Sequence, residues 1–120
     1  MFVKDNLLII TNIKKTILRL EKMMDNFSRN ESVLKNSMKE EMYSLLRNAF
    51  MANSFKDEKR IEYQKDMLVN VKMLDFYVNT AHHKKFISYN QYTSVGNHLL
   101  EILVLIQGWI RSEKTKQPVS

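Results

Sequence analysis

Ile87-Ser88-Tyr89-Asn90-Gln91-Tyr92, continued through Leu99-Leu100-Glu101-Ile102-Leu103-Val104-Leu105-Ile106 to Gly108-Trp109-Ile110-Arg111-Ser112, is the stretch from which the fold is read. Ser88 with Gln91 three positions later has the spacing of a capping box, in which each side chain satisfies a backbone N–H that the first helical turn leaves orphaned. Ile87 and Tyr92 stand where a hydrophobic staple needs them. A helix therefore starts here and carries Tyr92, Val95, Leu99, Ile102, Ile106 and Trp109 on one side. Residues 102–106 are all aliphatic. At about 100° per residue they cover the whole circumference, and no side of that turn suits water.

Working outward, three more helices are expected. Val3, Leu7, Ile10, Ile13, Ile17, Leu20, Met24 and Phe27 recur in steps of four and three, one face of a first helix. Ser28 and Glu31 repeat the capping-box spacing, so a second helix begins near Ser28 to Ser32 and buries Leu34, Met38, Met42, Leu45, Ala49 and Ala52 before ending near Asn53. Ser54 can cap a third helix, with Asp57 and Glu58 in its first turn favoured by the helix dipole, and its stripe is Ile61, Leu68, Val71, Leu74 and Val78. Short links make successive helices antiparallel. The expected fold class is all-α, an antiparallel up-down-up-down four-helix bundle, with one domain over residues 1–113 and a flexible polar tail over 114–120 containing Pro118.

Composition agrees. The chain has 120 residues, enough for one core; its two Gly and one Pro leave little material for hairpins or phosphate loops. There is no Cys, hence neither disulfide nor thiolate metal site, and no charged-then-apolar leader, so a cytoplasmic location is expected. Leu99 to Ile110 would span only about 18 Å as a helix and includes Glu101 and Gln107, so no membrane span is expected.

A bundle helix has an outer face, so Leu103, Val104 and Leu105 need cover from outside, as do Leu7, Leu8, Ile9 and Ile10 on the first helix. Two such patches predict a homo-oligomer, with Leu7, Leu8, Ile9, Leu103, Val104, Leu105, Gly108 and Trp109 at the contact. The alternative is that flanking helices and the tail cover them. Gly108 costs about 1 kcal/mol relative to Ala inside a helix, so either another backbone passes close to it or the helix is about to end.

The formal charge of +6 is uneven: its surplus falls before residue 31 and after residue 80. Lys15, Arg19 and Lys22, at i, i+4 and i+7, form a self-repelling stripe that a polyanion would neutralise. With Lys14, Lys84, Lys85 and Arg111 they are the candidate phosphate contacts, without base readout; a merely solvated face is the competing reading. His82 and His83 are adjacent and point about 100° apart, His98 stands alone, and no Glu-x-x-His spacing occurs, so no metal, cofactor or catalytic residue is expected. The seven internal Met are read as core filler.

The fourth-helix residues quoted above, Gly108-Trp109-Ile110-Arg111-Ser112 most sharply, together with Met73-Leu74-Asp75-Phe76 and Ala81, resemble the Avd-like four-helix-bundle family, named for the accessory variability determinant of diversity-generating retroelements. That family often has Gly-Arg where this chain has Leu103-Val104, and a further Gly at Gln107. The resemblance implies a homopentameric, basic, barrel-like assembly without polymerase chemistry. It implies association with a reverse transcriptase, its template RNA and also DNA, supporting mutagenic reverse transcription. Two other readings stand beside it: an oligomeric scaffold that binds only protein partners, and a bundle protein of the kind encoded in intervening sequences of ribosomal RNA genes.

Overall fold

The computed structural model describes residues 7–116, the side chain of Lys116 excepted. Four helices form, α1 (Leu8–Met24), α2 (Ser32–Ser54), α3 (Asp57–His83) and α4 (Tyr89–Lys116), with one 3-10 turn at Arg29–Glu31 and no strand among the described residues. Each helix packs on its sequence neighbours, and α4 closes the ring against α1, while among the described residues the backbones of diagonal helices do not come close. This is the up-down-up-down order. The expected start of the first helix at Val3 lies outside the described residues, as do residues 117–120 of the tail; α4 itself runs on to Lys116, into the stretch expected as tail.

Capping explains the best-defined corner. Gln91 N–H donates to Ser88 Oγ at 3.1 Å and Ser88 N–H donates to Gln91 Oε1 at 2.9 Å, the reciprocal pair that the spacing predicts. Just before it, Lys85 N–H donates to the His82 carbonyl and Phe86 N–H to the Ala81 carbonyl, a complete Schellman ending to α3. Lys85 takes φ 64° there, the left-handed conformation usually left to Gly. Phe86 packs on Phe27, centroids 5.5 Å apart, and so ties this corner to the end of α1.

The other two expected caps fail. Ser28 Oγ accepts from Asn30 N–H at 3.4 Å and starts only the 3-10 turn, because Glu31 turns away to pair with Lys84 at 3.4 Å. Ser54 is the last residue of α2 and donates back to the Phe50 carbonyl at 2.8 Å. The chain then passes extended through Phe55 and Lys56 and enters α3 through Asp57 at φ 65°, a conformation that Asp tolerates better than most residues. α1 ends at Met24, and Phe27 is buried beyond it.

The core of α2 is Leu34, Met38, Met42, Leu45, Ala49 and Ala52, as its spacing predicts. α3 differs. Ile61 and Leu68 are only half-buried, whereas Gln64, Met67 and Asn70 are buried beside Val71, Leu74 and Val78. Asn70 is satisfied: it accepts from Asn48 at 2.8 Å and donates to Glu41 at 3.1 Å and Ser44 at 3.2 Å, locking α3 to α2. Gln64 is fully buried with neither amide atom hydrogen-bonded.

Ile9, expected at an oligomer contact, is instead 4 % exposed and belongs to the subunit's own core, together with Ile10. Leu7, Leu103, Leu105 and Trp109 pack partly buried against that core, whereas Leu8 at 62 % and Val104 at 55 % stay exposed. Leu100, at 57 %, extends the exposed strip along α4. Neither sequence explanation of Gly108 holds within the subunit: the helix continues past it, and a Cβ there would meet only Arg111 Nη2 at 3.8 Å.

Two stability predictions follow from this packing. Replacing the orphaned amide by a side chain of equal length, Gln64→Met, should raise the unfolding free energy by about 1 kcal/mol, since an unpaired buried polar group costs roughly that or more. A lowered urea midpoint would show that the amide is engaged. Lys85→Gly should also stabilise by about 1 kcal/mol by relieving the left-handed backbone, read as a higher midpoint at unchanged m value.

Candidate nucleic-acid interface

α1 and α4 run antiparallel, and along their seam lie two adjoining open pockets that share Arg19 and Lys22 and together make a groove. One half is lined by Asn12, Lys15, Thr16, Leu18, Arg19 and Lys22 of α1 with His98 and Glu101 of α4. The other half shares Arg19 and Lys22 and continues over Met23, Asp25 and Asn26, opposite Asn90, Gln91, Ser94 and Val95. The register is marked by Asn12, which donates to Glu101 Oε1 at 3.5 Å. Helical spacing produces this wall: 12, 15, 19 and 22 on α1 and 91, 94, 98 and 101 on α4 fall in steps of three and four beside each helix's buried stripe.

The electrostatics follow from where the acids go. Glu21 is the one acidic residue of α1, and it faces α2, accepting from the Tyr43 hydroxyl at 3.1 Å. That hydrogen bond, with the carboxylate charge, raises the Tyr43 pKa above its ordinary value. Glu21 therefore does not neutralise the opposite side of α1. Lys15, Arg19 and Lys22 are exposed and form no ion pair with any described residue. Glu101 and Asp25 sit toward the two ends of the groove, leaving three cations over about 10 Å between them.

Four other candidate cations lie elsewhere. Lys14 points toward α2, with its Nζ 5.5 Å from the centre of the Phe50 ring. Lys84 pairs with Glu31 at the start of α2. Lys85 is exposed on the α3–α4 turn. Arg111 is exposed on α4 about 15 Å beyond Glu101. The structure thus gathers Lys15, Arg19 and Lys22 into one feature and leaves Lys14, Lys84, Lys85 and Arg111 outside it.

Sequence reasoning did not find the groove's polar walls, Asn12, Asn26, Asn90, Gln91, Ser94 and His98, because their roles depend on α1 lying beside α4. It also missed a ring cluster at the α3–α4 corner. His82 stacks on Tyr92, centroids 4.3 Å apart and planes 8° from parallel, and Tyr89 lies 6.3 Å from His82. The signal was present as three aromatic or imidazole residues flanking one turn.

Among the described residues no group of three metal-binding side chains occurs, and no helix is long and apolar enough to cross a membrane. No curated protein and no solved structure matches the chain. A family model described as bAvd-like matches residues 7–113, which takes in α1, α2, α3 and nearly all of α4. On that match the chain belongs to the bAvd-like family.

Proposed function

We propose that this chain is a non-enzymatic accessory protein of a diversity-generating retroelement, binding the template nucleic acid and a reverse transcriptase as a homo-oligomer. The observation that carries the proposal is the family match across the whole bundle. The groove between α1 and α4 supports it independently, because three cations that form no ion pair with any described residue, between Asp25 and Glu101 at its ends, suit a phosphodiester strand. The protein contributes binding and positioning, and the copying chemistry belongs to the polymerase.

Assembly is proposed to use the outer face of α4. Leu100 and Val104 are exposed, Leu103 and Leu105 flank them half-buried, and the Asn12–Glu101 register places exposed Leu8 level with Leu105 on the α1 side. The two apolar stretches thus lie at one level of the bundle, and a strip of this kind is unusual on a monomer. Gly108, which nothing inside the subunit requires, lies farther along the same helix, where a neighbouring backbone would account for it.

Two measurements test this. Reversing Lys15, Arg19 and Lys22 to Glu should abolish retention of a labelled RNA. The native chain should show a log–log salt slope of about −2 per subunit, as three phosphate contacts to a single strand require. Equal binding by the native and reversed chains would sink the groove's role, and no binding by either would favour a scaffold for protein partners. Light scattering should give a multiple of 14.3 kDa for the native chain and a single subunit for Leu100→Asp with Val104→Asp. A native monomer at micromolar concentration would remove the assembly.

A further inference from the structure

We infer that the groove receives a single strand whose bases stack on Tyr89; this rests on the nucleic-acid reading above and adds to it the form of the ligand and the site that selects it. Tyr89 is 68 % exposed at the start of α4. It is the outermost of three rings. Behind it His82 lies tilted at 54°, and His82 is in turn stacked flat on Tyr92, whose hydroxyl donates to Asn79 of α3. Stacking and hydrogen bonding both hold the inner rings, so Tyr89 projects from a backed surface at the α3–α4 corner and not from a loose loop.

Position connects this corner to the groove. Tyr89 directly precedes Asn90, which lines the groove with Arg19 and Lys22, and its ring stands about 100° further round the start of α4, on the α3 side against His82. Lys85 lies on the turn just before, exposed, in a backbone conformation where Gly would be less strained. A strand that leaves the groove over Asn90 and turns round the start of α4 would reach the exposed face of Tyr89. That pairing of a cationic track with a stacking ring is the chemistry of single-strand recognition.

The groove walls point the same way. Phosphates accept hydrogen bonds only, yet Asn26 and Asn90 each present a side-chain acceptor as well as donors. Unpaired bases offer both kinds of group on their exposed edges. In a duplex the base faces are stacked inside, and a protruding Tyr gains no partner. The observations therefore favour an unpaired strand, RNA or DNA, over a duplex.

The test uses the full chain and four fluorescently labelled oligonucleotides: an unpaired RNA, an unpaired DNA of the same sequence, the DNA duplex, and an abasic DNA strand with the same phosphates. The native chain should bind the unpaired strands about tenfold more tightly than the abasic strand, the range expected for one stacked base. Tyr89→Ala should erase that difference, Tyr89→Phe should keep it, and duplex affinity and the salt slope should move with neither. Equal affinity of the native chain for base-bearing and abasic strands overturns the inference and leaves the groove reading intact, as does an unaltered preference in Tyr89→Ala. Failure to bind any of the four overturns both readings. The RNA and DNA arms then show which unpaired strand is preferred.

Discussion

Three of the four helices meet at one guanidinium. Arg60, in the first turn of α3, donates through Nε to the carbonyls of Ala52 at 2.9 Å and Phe55 at 2.7 Å, and through Nη1 to Glu113 at 3.0 Å. The Ala52 and Phe55 carbonyls are acceptors that the end of α2 leaves without helical partners, and a cation is the favoured partner there. Glu113 is almost wholly buried, so its charge is tolerable only while Arg60 is beside it. The Trp109 ring lies 5.7 Å from the guanidinium carbon, one turn before Glu113. Such a pair contributes little net stability in comparison with apolar packing, but breaking one side leaves a buried charge, and in that sense it fixes register. The register of α4 is what places Gln91, Ser94, His98 and Glu101 opposite α1.

This clamp also explains how the signature run near the C-terminus works here. Trp109 supplies a flat face for Arg60, Ile110 is in the core, and Arg111 points outward. The Arg that meets Trp109 is 49 residues away in sequence, and periodicity carries no trace of it. Glu113 shows the same limit. It closes a stretch that reads as the last of the bundle before a polar tail, yet it is inside, and α4 continues beyond it for another turn.

Where a signal is local and reciprocal, the sequence was sufficient. Ser88 and Gln91 satisfy each other at three residues' distance, and among the described residues nothing elsewhere competes for either side chain. Ser28 and Glu31 have the same spacing, but Lys84 draws Glu31 away and the helix starts later. The stripe of α2 was legible because its buried positions are all apolar. That of α3 was legible only at Val71, Leu74 and Val78, since Gln64 and Asn70 occupy inward positions; Asn70 is admissible only because Asn48, Glu41 and Ser44 of α2 meet it. The basic stripe of α1 was readable as a stripe, whereas its being a wall of a groove, with Glu21 drawn to the far side by Tyr43, required the α1–α4 and α1–α2 contacts.

The two halves of the proposed function depend on each other for a physical reason. Three phosphate contacts give only a weak, salt-sensitive hold, with a slope of about −2 for a single strand, and one subunit offers no larger cationic feature in its groove. Repeating the groove around an assembly multiplies the contacts along one strand without improving any of them, because each later contact is intramolecular. The outer face of α4 is well placed for this. It lies between the groove on the α1 side and the half-buried Leu103 on the α3 side, so subunits joined through Leu100 and Val104 would set successive grooves close to the seams. In the proposed assembly more copies would serve both faces at once, by adding phosphate contacts along one strand and by covering Leu100 and Val104.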